Sequence, residues 1–475
     1  MKKTWIAALA AAVVAGLAGA VPSSSTSAAG TQGYLVVLAG TQGADGFDAT
    51  GTQAAIRAAV AAAGGTIAND LSQQIGVVVV HSASSTFAAA LSTSSLVESV
   101  GADFGWQGIT AAAPEPVDDP LEPLQWDMQQ IRTDEAHGIQ GGIPAVDVGV
   151  LDSGIDGRHA DFTKNGVSNV DCGRGRNSIA FVPTGPGVGT PDVCSDNQFH
   201  GTHVAGTIAA RANGIGLVGV APNVTLVPVK VCDTSGYCYA SAVVDGITYA
   251  GDQQFDVINM SFFVDDNEFQ QSTEFKCMDD PVQRSFRKAV ERAIQYARNQ
   301  GVTPVAALGN SDEDLAHPTD TANNCEVVPA ETEGVIGTTA LGNAKQKAPY
   351  SNYGNGAADV AAPGGTANGD CTTGVPSTFP ASTYGCISGT SMASPHAAGV
   401  AALIVSQYGT LGADGDVKLS PTKVEQYLQG TAVDQGLPGY DECFGNGRID
   451  ALRAVTHDTS NVYDASAPYC PEYEE

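Results

Sequence analysis

No cysteine occurs among the first 171 residues of this 475-residue chain, although ten follow, at Cys172, Cys194, Cys232, Cys238, Cys277, Cys325, Cys371, Cys386, Cys443 and Cys470. The N-terminal stretch therefore reads as a different kind of object from the rest. No pair among the ten has the two-residue spacing of a metal knuckle, which argues against structural zinc. Basic residues are also scarce, 22 against 51 acidic, for a formal net charge of -29. Such a surface repels nucleic acid and anionic membrane, so neither is expected as a partner. The acidity itself reads as a solvated surface that keeps a protein soluble. Beyond the N-terminus no apolar run approaches the ~20 residues of a membrane span, and no tandem repeat is present.

What is present begins with Met1-Lys2-Lys3, an apolar run from Trp5 to Leu17, and Ala18-Gly19-Ala20. That charged, apolar and small-residue order is the pattern of a secretory signal peptide over 1–20, cleaved after Ala20, so the product is expected outside the cell. An even number of cysteines in an exported chain reads as five disulfides. Connectivity does not follow from sequence; the simplest pairing joins neighbours, 172 with 194, 232 with 238, 277 with 325, 371 with 386 and 443 with 470. With 43% hydrophobic residues the chain can bury at least one large core.

Between the signal and about residue 110, short apolar strands at Tyr34 to Leu38, Ile75 to Val80 and Leu96 to Val100 alternate with helical stretches at Thr52 to Ala63 and Thr86 to Leu91. This predicts a small α/β unit of about 80 residues. Ala111 to Pro120 has three prolines and no periodicity, the composition of a linker. Beyond it, mostly β-branched runs at Val146 to Leu151, Leu226 to Val231, Val257 to Met260, Thr303 to Ala307 and Val335 to Thr339 alternate with helical stretches at His200 to Ala210, Ala240 to Ala250 and Ser285 to Asn299. The pattern predicts an α/β fold whose mostly parallel sheet is sandwiched by helices, with any site at the carboxyl ends of the strands.

Three motifs carry candidate chemistry. Val148-Gly-Val-Leu-Asp152-Ser-Gly ends a strand on a carboxylate, which can orient an imidazole or merely cap a turn. His200-Gly-Thr-His-Val-Ala-Gly-Thr207 opens a helix of small residues with His200 in its first turn. His203 lies one turn on, and such a pair is by itself as compatible with a structural role. Gly389-Thr-Ser391-Met-Ala-Ser-Pro-His-Ala-Ala-Gly399 sets a serine at a helix start, where the helix dipole favours a nucleophile whose attack creates an oxyanion. Ser394 and His396 read as packing or hydrogen-bonding residues.

Together, in the order Asp, His, Ser, these motifs resemble the subtilisin-like serine proteases over roughly residues 120 to 455. The resemblance implies a secreted serine endopeptidase with Asp152, His200 and Ser391 as its triad, acting on protein or peptide substrates, with no catalytic cofactor and as a monomer. Ala306-Ala307-Leu308-Gly309-Asn310 resembles the family segment that completes the oxyanion hole, which implies a donor role for Asn310 and substrate contacts for Ala307 and Gly309. Val257-Ile-Asn-Met-Ser261 resembles the strand that pairs with substrate. It continues Phe262-Phe263-Val264 where the family usually has Leu-Gly-Gly, so both aromatics are expected to edge the primary specificity pocket. The acidic insertion from Asp265 to Asp280 is expected to roof it.

The same resemblance implies a structural calcium ion held by Asp161, Asn213 and the carbonyls of Ile215 and Leu217. It also implies that residues 21–115 comprise an inhibitor-like propeptide with a ferredoxin-like α+β fold and a linker, cut away between about 104 and 122 to leave a peptidase domain over 116–475. A catalytically idle or esterase-like member of the same fold is the alternative reading.

Overall fold

The computed structural model describes residues 30–108, 122–182, 192–264, 281–316, 326–413, 415–468 and 470. The expected signal segment, the linker, the acidic insertion and the Cys277–Cys325 pair lie outside them. The other four expected disulfides, 172–194, 232–238, 371–386 and 443–470, are all closed.

The N-terminal unit runs β1 (Gln32–Leu38), α1 (Gln53–Ala62), β2 (Gly65–Leu71), β3 (Val77–Ser82), α2 (Phe87–Leu91) and β4 (Val97–Ala102). Its antiparallel sheet has the order β2-β3-β1-β4, the ferredoxin-like arrangement. Thr52 caps α1 by accepting from Ala55 N at 3.2 Å. Strand alternation divides the sheet's apolar side chains between two cores. Val36, Val78 and Val80 pack on Ile56 and Val60 of α1 and Phe87 of α2. Leu35, Val37, Val77 and Val79 face the other way and join the core of the larger unit. β2 was not expected from sequence, because Gly-Thr-Ile-Ala-Asn-Asp-Leu carries three residues that disfavour strands, Gly65, Asn69 and Asp70. Pairing with β3 overrides that local preference.

After a three-residue strand β5 (Gly105–Gln107) and a short helix α3 (Trp126–Gln130), the larger unit begins with β6 (Asp147–Asp152). There follow β7 (Arg176–Asn177), α4 (His200–Ala209), β8 (Thr225–Lys230), β9 (Tyr237–Tyr239), α5 (Ala240–Asp252) and β10 (Val257–Met260). Next come α6 (Pro281–Asn299), β11 (Thr303–Ala307), β12 (Ile336–Leu341), β13 (Val360–Pro363) and α7 (Thr390–Tyr408). Seven strands form one parallel sheet in the order β7-β8-β6-β10-β11-β12-β13. Every residue of β6, β10 and β11 is buried, as expected for strands covered by helices on both faces. The chain leaves β6 towards β8 on one side and resumes at β10 on the other. The carboxyl ends of β6 and β10 therefore flank a switch point, where such sheets form their sites.

Candidate active site

β6 ends on Asp152, and this is why its carboxylate faces the crevice. Both carboxylate oxygens lie 3.0 Å from His200 Nδ1, and Ser153 N donates to Oδ1 at 2.7 Å. Asp152 is fully buried and His200 nearly so. The pair fixes the imidazole with Nδ1 protonated, leaving Nε2 as the basic nitrogen.

His200 is delivered by the first turn of α4, which the sheet admits closely because the helix is built of small residues. A Cβ on Gly201 would lie 2.1 Å from Gly154 O, and one on Gly206 2.2 Å from Thr378 Oγ1. Asp196 ties the helix start to the end of β6. It accepts from Gln198 N, Phe199 N, Thr202 N and Thr202 Oγ1, and from Ser153 Oγ, which in turn accepts from Gly201 N. Sequence reasoning missed Asp196; its position four residues before His200, at a helix N-terminus, was the available signal. His203 is fully buried with Nε2 donating to Val375 O at 3.0 Å, and burial pushes its pKa down to about 3, so it stays neutral.

Ser391 sits in the first turn of α7, 6% exposed. Its Oγ donates to Ser261 O at 3.0 Å, and no hydrogen bond joins it to His200 in this conformation. Asn310 lies just past β11. Its Oδ1 accepts from Thr390 N and Thr390 Oγ1, both at 2.9 Å, which turns its amide nitrogen the other way. A point beside Gly389, where a side chain would begin, lies 3.5 Å from Asn310 Nδ2 and 3.6 Å from Ser391 N. Two N–H donors thus adjoin one small space next to the hydroxyl. Thr390, also missed in the sequence, sets the Asn310 amide and accepts from Gly309 N at 3.1 Å. Gly309 has φ +114, and a Cβ there would lie 2.3 Å from Asn352 Nδ2, so only glycine fits.

A sequence profile described as "Subtilase family" matches residues 144–447. The chain belongs to the Subtilase family. Subtilisin DY of Bacillus licheniformis is 35% identical over 321 residues, 68% of this chain and 94% of that one. Subtilisin of Bacillus pumilus is 33% identical over 70% of this chain and 99% of its own. Among solved structures, a lanthipeptide protease superposes with TM-score 0.57 at 26% identity, over 70% of this chain and 94% of its own. The epidermin leader peptide processing serine protease of Staphylococcus aureus does so with TM-score 0.69 at 20% identity, over 90% of this chain and 98% of its own. Membership makes the chain a serine endopeptidase with no need of a catalytic cofactor.

Two expected sets of residues are placed as follows. Phe262 is fully buried, with Trp106 of the N-terminal unit edge-on against it, ring centroids 6.2 Å apart, so that unit covers it. Phe263 is half-buried near Gly309. The following residue, Val264, pairs with Val328. The calcium set is the second. Asp161, Asn213, Ile215 and Leu217 do come together, with Leu217 N donating to Asp161 Oδ2 at 2.8 Å. Asn213 Oδ1 accepts from Ile215 N, and its amide nitrogen donates to Ala160 O and Thr163 O. Among the described residues no group of three or more His, Cys, Asp or Glu could hold a metal.

Proposed function

We propose that this subtilase is a secreted endopeptidase, made as a precursor, that cleaves peptide bonds through an acyl-enzyme formed on Ser391. The carrying observation is the Asp152–His200 pair at the end of β6, facing a serine whose backbone N–H and the Asn310 amide adjoin one space. The Ser391 hydroxyl turns from Ser261 O to His200 Nε2, and its oxygen attacks the substrate carbonyl carbon as the imidazole takes the proton. The carbonyl π pair moves onto oxygen, where Ser391 N–H and Asn310 Nδ2 donate to it. As the C–N bond breaks, His200 returns the proton to the leaving amine. Water then repeats the sequence on the ester and frees Ser391.

The N-terminal unit acts in this reading as the enzyme's own inhibitor, cut away after β5. Support comes from β5 itself, which adds antiparallel to β9 with Trp106 opposite Cys238. Trp106 is buried among Phe104, Phe262 and Phe286. Asp103 accepts from Ser241 N and Oγ at the start of α5. An extended chain added to the edge of the cleft is how a protease holds a peptide. Residues 1–20 would serve as the export signal, and the processed enzyme would act as a monomer.

The test is hydrolysis of casein by the processed enzyme and by Ser391→Ala refolded with its N-terminal unit. The expected result is peptide release by the first and none by the second, which should also remain uncut. Release by the Ser391→Ala variant would overturn the assignment of Ser391.

A further inference from the structure

In an α-helix the carbonyl of residue 391 would accept the N–H of residue 395. Residue 395 is proline, which has none. The carbonyl of Ser391 is thus left without its intrahelical donor in a fully buried turn, where an unmet acceptor is costly. Ser261 Oγ donates to it at 2.8 Å. That hydroxyl has one proton, so it must accept elsewhere, and Asn259 Nδ2 donates to it at 2.8 Å. Asn259 Oδ1 in turn accepts from Ser394 Oγ at 2.7 Å, which brings the chain of bonds back to α7 one turn beyond Ser391. Asn259, Ser261 and Ser394 are all fully buried.

We propose that Asn259, Ser261 and Ser394 are positioning residues that lock Ser391 to the central sheet, with the Ser261 hydroxyl replacing the backbone donor that Pro395 removes from α7. This rests on the reading of Ser391 as nucleophile. Because each hydroxyl donates once, the bonds run in one direction only, from Ser394 through Asn259 and Ser261 to Ser391 O. A carbonyl relieved of its ladder donor gives the Ser261 hydroxyl a stronger and better-directed acceptor than one already engaged by a backbone N–H. Here the main chain of the nucleophile is tied to the end of β10, and β10 pairs with β6, with Met260 opposite Leu151 beside Asp152. Both partners of the proton transfer are thereby referred to one rigid frame. Since a misplacement near 1 Å can cost about 100-fold in rate, the tie acts on kcat and not on binding.

The experiment measures kcat, KM and the rate of inactivation by a sulfonyl fluoride for Ser261→Ala, Pro395→Ala and the double variant. Ser261→Ala is expected to lower kcat and the inactivation rate about 10- to 100-fold with KM within about twofold. In the double variant, the Pro395→Ala change restores the backbone N–H, so kcat should recover at least about fivefold relative to Ser261→Ala, a coupling that a purely structural loss would not produce. An unchanged kcat in Ser261→Ala, or no recovery in the double variant, overturns the proposal. If Ser261→Ala yields no folded enzyme, Ser394→Ala takes its place, with a decrease of about threefold to tenfold in kcat expected and an unchanged kcat overturning it. Activity in Ser391→Ala would instead defeat the nucleophile assignment, so the two failures are distinguishable.

Discussion

The N-terminal unit and the larger unit reach order by opposite means. The first has no cysteine, a four-stranded antiparallel sheet and a small core between that sheet and two short helices. The second has a parallel sheet buried on both faces and four closed disulfides among the described residues. The smaller unit leaves the apolar second face of its sheet to be covered by its neighbour, while the larger covers its own sheet with helices. A domain of this size with half its sheet uncovered is marginal alone. In the reading proposed above, that suits a segment to be discarded, whereas cross-links suit a segment that must persist in the presence of its own activity.

This contrast divides chemistry from restraint, and variants should separate the two. The largest effect is expected from Asn310→Ala, which should lower kcat on the order of 100- to 1,000-fold, the loss seen when subtilisin's corresponding donor is removed, while leaving the hold of the N-terminal unit unchanged. Steady-state kinetics on a peptide substrate checks it.

Trp106→Ala should do the reverse. Loss of a buried aromatic anchor costs about 2 kcal/mol, so the N-terminal unit should release the cleft roughly 30-fold more readily, read as a shortened lag before activity during processing. The processed enzyme should keep its kcat. A longer lag, or a changed kcat, would break the division.

The third effect concerns pH. Burial pushes the Asp256 carboxyl up to about 8, helped by the neighbouring Asp147 charge, and burial likewise pushes Asp359 to about 7. With the folded value raised, the native state keeps a proton that the unfolded chain gives up near its ordinary 3.8. The stabilisation is therefore fully present at low pH and declines as pH rises towards about 8. Asp256→Asn, which still accepts from Asp147 N, should make that decline shallower without abolishing it, because Asp359 remains. Urea midpoints at pH 5 and pH 8 check it, and an equal decline in variant and parent would refute it.

The smallest effect is expected from chelation. With Asn213 Oδ1 accepting from Ile215 N and Leu217 N donating to Asp161 Oδ2 to hold this loop, EGTA should move the thermal midpoint by less than about 1 °C, whereas an ion present at 100 times its Kd would contribute about 2.7 kcal/mol.

Much of the site could be read in advance, since Asp152, His200, Ser391 and Asn310 each stand in a motif long enough to define its own local structure. A strand end, a helix start and a glycine turn are short-range events, set by propensity and sterics within a few residues. Asp196, Thr390 and the Asn259–Ser261–Ser394 circuit were not legible in this way. Their roles depend as well on partners 6, 81 and 135 positions away, visible only once the sheet and α7 are packed. The same holds for the contact of Phe262 with Trp106, which joins residues far apart in the chain.

By itself the sequence determined the chemistry available to this protein and its division into a cysteine-free and a cysteine-bearing part, because these follow from composition and short motifs. Tertiary structure alone decided which way the buried groups turn: that Asp161 accepts from Leu217 N, and that Ser261 supplies what Pro395 withholds. Those choices come from the need to satisfy every buried donor and acceptor at once, which is a property of the assembled core and not of any segment in it.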